Sequence, residues 1–161
     1  MTDFDERDFV STVREYIALI EGASDLRAYD ILAQSAILLP KIYAAGMTIQ
    51  ESEPETEEPR TYDGPSVMGT LLDKFGKYDE YFEIFDPTED KDRVVRSLAD
   101  DFADIYTNLK GPLDAYDQNQ CSDALWQWRF NLRTHCGDHL VDALRALHRL
   151  VNDHMDSDYE A

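Results

Sequence analysis

Residues 124–151 read ALWQWRFNLRTHCGDHLVDALRALHRLV, and their spacing decides the fold. At 100° per residue, Trp126, Arg129, Arg133, Leu140, Leu144, Leu147 and Val151 share one broad face, while Trp128, Leu132, His135, His139, Asp142 and Ala146 share a second. Trp126 and Trp128 project about 200° apart, so both are buried only if neighbours cover two sides of the helix. The pattern therefore predicts one long helix from about residue 122 to 153, running through the middle of a helical fold.

The remaining segments are read outward from this helix. LADDFADIY at 98–106 belongs to a predicted helix from about 87 to 110, with Val94, Leu98, Phe102, Ile105 and Leu109 on its apolar face. Asp86, Pro87 and Glu89 match an N-cap, first helical position and N3, and Gly111-Pro112 is expected to interrupt the helix before a last turn through Tyr116. Near the N-terminus, Phe9, Val13, Tyr16, Ile17 and Ile20 predict a first helix over about 3–21, capped by Thr2 or Asp3. A second helix is expected from after Ser24 to about Thr48, apolar nearly all round in its second half and kinked or divided at Pro40. A short one fits 65–75, closed by Gly76. With no period-two alternation recognised, the expected class is all-α, an antiparallel bundle of four main helices plus one short helix in a single domain over 1–161.

Between the second and short helices lies QESEPETEEPRTYD at 50–63, which has two prolines, a run of glutamates and no periodic apolar residue. It reads as a mobile acidic loop. The whole chain carries a formal charge of -19 over 161 residues. Such a surface repels phosphate backbones and anionic membranes, which disfavours direct nucleic-acid or membrane binding and favours a basic protein partner. The oligomeric state is left open. Cys121 and Cys136 would lie roughly 22 Å apart on one continuous helix, beyond disulfide reach, and read as free thiols of a reducing cytoplasm. No apolar run approaches the ~20 residues that span a bilayer, and the N-terminus lacks the basic region of a signal peptide.

Two polar groupings stand out. Arg129 and Arg133 interrupt an apolar stripe, and the simplest way to satisfy them is an ion pair with Asp101 or Asp104 across the helix interface; with Trp128 these residues form a candidate polar core or partner-binding patch. His135 and His139 lie one helical turn apart, the spacing that lets two imidazoles reach one metal ion, with Asp142 and Asp104 as candidate carboxylate ligands. Histidines hydrogen-bonded to aspartates explain the same residues without a metal. The aspartates at 100, 101 and 104 also suggest the magnesium-binding helices of nucleotide pyrophosphohydrolases, but the long helix supplies no second carboxylate cluster. No catalytic residues can be assigned, because no nucleophile has an evident base.

YDEYFEIFDP, LADDFADIY and the run from ALWQWRF through GDHLVDALRALH resemble a family of small bacterial proteins known as a domain of unknown function. The resemblance implies a bacterial, cytoplasmic, helical protein and carries no site residues with it. The expected role is that of a non-enzymatic acidic helical module that binds another protein, with no cofactor. One alternative is a metal-binding bundle or metal-dependent hydrolase using a divalent ion; another is an acidic DNA mimic or toxin-neutralising protein.

Overall fold

The computed structural model describes residues 3–57 and 61–154. Thr2, Glu58 and Arg60 lie outside them. Among the described residues there are six α-helices and one two-stranded antiparallel hairpin, so the chain is mostly helical but is not the four-plus-one bundle expected.

Helix α1, Glu6–Glu21, begins where Asp5 accepts the Asp8 amide at 3.0 Å, two or three residues later than the Thr2 or Asp3 cap expected. Its predicted face, from Phe9 to Ile20, is buried. Helix α2, Ala28–Gly46, runs through Pro40 undivided. Helix α3, Met68–Phe75, ends at Gly76, whose φ of 49° is a backbone conformation that glycine adopts without steric cost.

The first part of the helix predicted over about 87–110, up to residue 97, is replaced by the hairpin of β1, Glu80–Ile84, and β2, Arg93–Ser97. Asp86 Oδ1 does accept the Thr88 amide, at 2.9 Å, and its carbonyl accepts Glu89 N at 3.1 Å, but this closes a turn. The same side-chain-to-backbone bond starts helices and Asx turns. Residues 88–93, TEDKDR, offer no apolar side chain, so a helix there would have nothing to bury.

Helix α4, Leu98–Asp117, starts directly from β2. Ser97 caps it by accepting the Asp100 amide, and buried Asp79 accepts the Ala99 amide at 2.8 Å and the Ser97 hydroxyl at 3.0 Å. Asp79 thereby ties the base of the hairpin to the start of the helix. The helix continues through Gly111-Pro112, against expectation. Pro112 has no N–H for the Asn108 carbonyl. Asn131 Nδ2, from the neighbouring helix, donates to that carbonyl at 3.0 Å, and Trp128 Nε1 donates to the Leu109 carbonyl at 3.1 Å.

The long helix predicted over 122–153 is two helices, α5 at Cys121–Thr134 and α6 at Cys136–Arg149, followed by a last turn over Leu150–His154. They meet at His135. A Cβ on Gly137 would come 2.0 Å from the Leu132 carbonyl oxygen, so glycine is what lets the new helix begin so close to the old one. The central element is α4, which packs on α1, α3, α5 and α6. Trp128 is fully buried edge-on to Phe9, while Trp126 is half-buried and stacks on exposed Phe130, so the two-sided burial expected holds for only one tryptophan.

The acidic loop is tethered on its way across the surface. Asp123, buried in the first turn of α5, accepts the backbone amides of Glu55 at 2.6 Å and Thr56 at 3.1 Å. Cys121 and Cys136 are both free thiols. Among the described residues no helix is long and apolar enough to cross a membrane.

Candidate functional site

The hairpin has its polar side turned inward. In its register Tyr81 pairs with Arg96 and Glu83 with Val94, and Tyr81, Glu83 and Arg96 face the helices. Phe82 and Val95, also directly paired, point the other way and are 57% and 58% exposed. Ile84 extends this outer surface, and the Arg93 guanidinium lies 4.6 Å from the Phe82 ring centroid. A ribbon on one side of a protein normally buries its apolar side chains and wets its polar ones. Here the order is reversed.

The inward side chains meet α4 and α6 in a charged cluster. Asp101, fully buried, is its centre: Oδ2 accepts the Tyr81 hydroxyl at 2.5 Å, and Oδ1 accepts Arg96 Nη2 at 3.0 Å and His139 Nδ1 at 2.7 Å. Because the carboxylate can only accept, Nδ1 carries a proton, and the 3.0 Å approach of Arg96 Nη2 to the same nitrogen is a contact between two donors. The bond to Asp101 raises the His139 pKa above its ordinary value, with burial opposing. Burial, and then the bond to Asp101, push the Tyr81 hydroxyl well up.

Two branches leave this centre. On one side, His139 Nε2 lies 3.2 Å from Asp104 Oδ2, and His135 Nε2 lies 4.0 Å from the same oxygen. The two imidazoles meet edge to face, with ring centroids 4.9 Å apart. On the other side, Arg96 Nε stands 3.2 Å from Glu83 Oε1, although this atom has no aligned hydrogen bond. Glu83 meets Asp142 carboxyl to carboxyl. Burial first, and then the shared hydrogen bond, push Glu83 up to about 7; Asp142 is also raised, by burial. The two carboxyls thus share a proton.

The structure brings together four of the residues singled out in the sequence, Asp101, Asp104, His135 and His139. Asp142 falls beside Glu83 and outside the histidine group. The expected pairing of Arg129 or Arg133 with Asp101 or Asp104 is replaced. Arg133 is exposed and donates to the Met47 carbonyl at 2.9 Å, and Arg129 approaches Glu51 at 3.8 Å. Arg96 takes their place because the hairpin delivers it to the first turn of α4, whereas Arg129 and Arg133 sit on α5, before the break. Trp128 serves the apolar core. Tyr81, Glu83 and Arg96 were missed; the signal was an alternation in EYFEI and RVVRS whose buried members are polar.

With this geometry in place, comparisons with other proteins give family and fold. Residues 3–153 match the family model described as a domain of unknown function (DUF5063), and the chain belongs to that family. No curated protein matches it. The crystal structure of protein BF1032 from Bacteroides fragilis is similar with a TM-score of 0.79, covering 96% of this chain and 97% of that one at 23% identity, a likeness of fold.

Proposed function

We propose that this chain is a protein-interaction module that docks a basic partner on the outer face of its hairpin. The observation that carries the reading is the reversed polarity of the ribbon: Phe82, Ile84 and Val95 stand in solvent while Tyr81, Glu83 and Arg96 are turned inward. Contiguous apolar side chains rimmed by charge are characteristic of association surfaces. The rim is mixed in charge, with Glu80, Glu89, Asp90 and Asp92 beside Lys91 and Arg93, and it is the net charge of -19 on the chain that favours a basic partner. An apolar patch flanked by lysines or arginines is the complementary surface. Asp79 and the Asp101 cluster hold the ribbon in place from behind, so it is presented ready-formed.

Affinity purification with wild-type bait and with the double variant Phe82→Ser/Val95→Ser identifies the partner by difference. Binding of the recovered partner should weaken by at least tenfold in the variant. Its association rate should also fall steeply as salt rises past the ~10 Å screening length of 0.1 M. Equal binding by both baits, or a rate indifferent to salt, overturns the reading. A concentration-dependent dimer that is lost in the variant would give the face to a second copy of this chain instead.

A further inference from the structure

We propose that Asp104, His135 and His139 form a binding site for a divalent transition metal ion, with buried Asp101 as the group that positions His139. The three residues each offer a ligand atom, and all three atoms lie within 4.8 Å of one another. Two imidazole nitrogens and a carboxylate oxygen suit Zn²⁺, Co²⁺ or Fe²⁺, and are unlike the all-oxygen sets of calcium or magnesium.

The separations fit such an ion. Ligand bonds of about 2.0–2.1 Å in tetrahedral geometry place ligand atoms about 3.3 Å apart. His139 Nε2 and Asp104 Oδ2 are already at 3.2 Å. His135 Nε2, at 4.0 Å from that oxygen, must close by about 0.7 Å to reach that spacing, and its side chain is 55% exposed. Three protein ligands leave a coordination position open toward solvent.

A second, independent feature points the same way. Metal-bound histidines almost always donate their other ring N–H to a carboxylate or carbonyl, which fixes the tautomer and aims the free nitrogen. His139 does this: Nδ1 donates to Asp101 Oδ1 at 2.7 Å, and Asp101, itself fully buried, is held by Tyr81 and Arg96. Nε2 is thereby directed at Asp104. The 3.2 Å contact between Nε2 and Asp104 Oδ2 is satisfied either by a proton on that nitrogen or by a metal ion held between the two atoms, so a metal would bind here by displacing that proton. Asp100, Asp101 and Asp104, along one side of α4, offset the Arg96 guanidinium that lies behind the imidazole. The break at His135 also contributes, since it places this imidazole at the end of α5 and His139 in the first turn of α6.

The test uses untagged full-length protein stripped with chelator. Titration with Zn²⁺ should show one tight equivalent, and Co²⁺ should give visible absorption bands of a low-coordinate nitrogen- and oxygen-ligated ion. His135→Ala, at an exposed position that leaves the fold intact, and Asp104→Asn should each weaken Zn²⁺ at least tenfold. Asp101→Asn should weaken it about 10- to 100-fold through the orientation of His139. His148→Ala, away from the cluster, should change nothing. Zn²⁺ affinity unchanged in His135→Ala, or lost equally in His148→Ala, overturns the assignment. So does loss in Asp100→Asn with retention in His135→Ala, which would move the ion to the other end of the cluster.

Discussion

Asp101→Asn is the sharpest probe of the cluster that fixes the hairpin. The substitution keeps the size of the side chain and removes its charge. The new amide can turn its NH₂ toward the Tyr81 hydroxyl, which is able to accept, and keep its oxygen for Arg96 and His139. What is lost is the charge in those two bonds, with Arg96 left in a partly buried site. Breaking a buried ion pair costs about 3–5 kcal/mol. Arg96 retains 18% exposure of its side chain and keeps Glu83 nearby, so the lower end, about 3 kcal/mol, is expected. At ~2–4 °C per kcal/mol for a chain of this size, the melting temperature should fall by about 6–12 °C. Thermal and urea unfolding in the presence of chelator measure this without any contribution from bound metal. A cycle with Arg96→Met should return a coupling of at least about 1.5 kcal/mol. A melting temperature within about 2 °C of wild type, or zero coupling to Arg96, would refute the view that this bridge holds the ribbon down.

Three further outcomes follow from particular contacts. Because burial and the bond with Asp142 raise Glu83 to about 7, the folded state keeps a proton that the unfolded chain releases at ordinary carboxyl values. Its contribution is therefore complete below the unfolded pKa and is lost as pH rises through 7; urea midpoints should decline over that window in wild type and more shallowly in Glu83→Gln. Asn131→Ala leaves the Asn108 carbonyl without its replacement donor and should cost about 1–3 kcal/mol by equilibrium unfolding, whereas no change would mean that water serves equally well. Gly137→Ala forces a Cβ against a backbone carbonyl and should cost about 1–3 kcal/mol; a neutral result would show that the α5–α6 junction gives way readily.

Much of the helical framework was legible from apolar spacing. The α1 face, the end of α3 at Gly76 and the burial of Trp128 all follow from periodicity and from glycine's freedom at positive φ. The meeting of Asp101 and Asp104 with His135 and His139 was also within reach, since charged groups on facing stripes seek one another. The hairpin was not. Its buried side is polar, so the alternation that marks a strand ran opposite to its usual sense, and the Asp86 turn imitates a helix start. Pro112 looked like a break because the donor that repairs it, Asn131, lies 23 residues from the Asn108 carbonyl it serves. The true break at His135 carried no proline; its only sign was Gly137, whose role is a close approach that spacing does not reveal.

Among the described residues, Asp123 grips the acidic loop through the backbone amides of Glu55 and Thr56. Neither of these two bonds depends on which side chain stands at 55 or 56. Exchanging Glu51, Glu53, Glu55 or Glu57 leaves both amides in place, whereas a proline at 55 or 56 removes one. The path of the loop and its chemistry are in this way separately adjustable: substitution can recast the charge the loop displays while one aspartate holds its backbone on the same course.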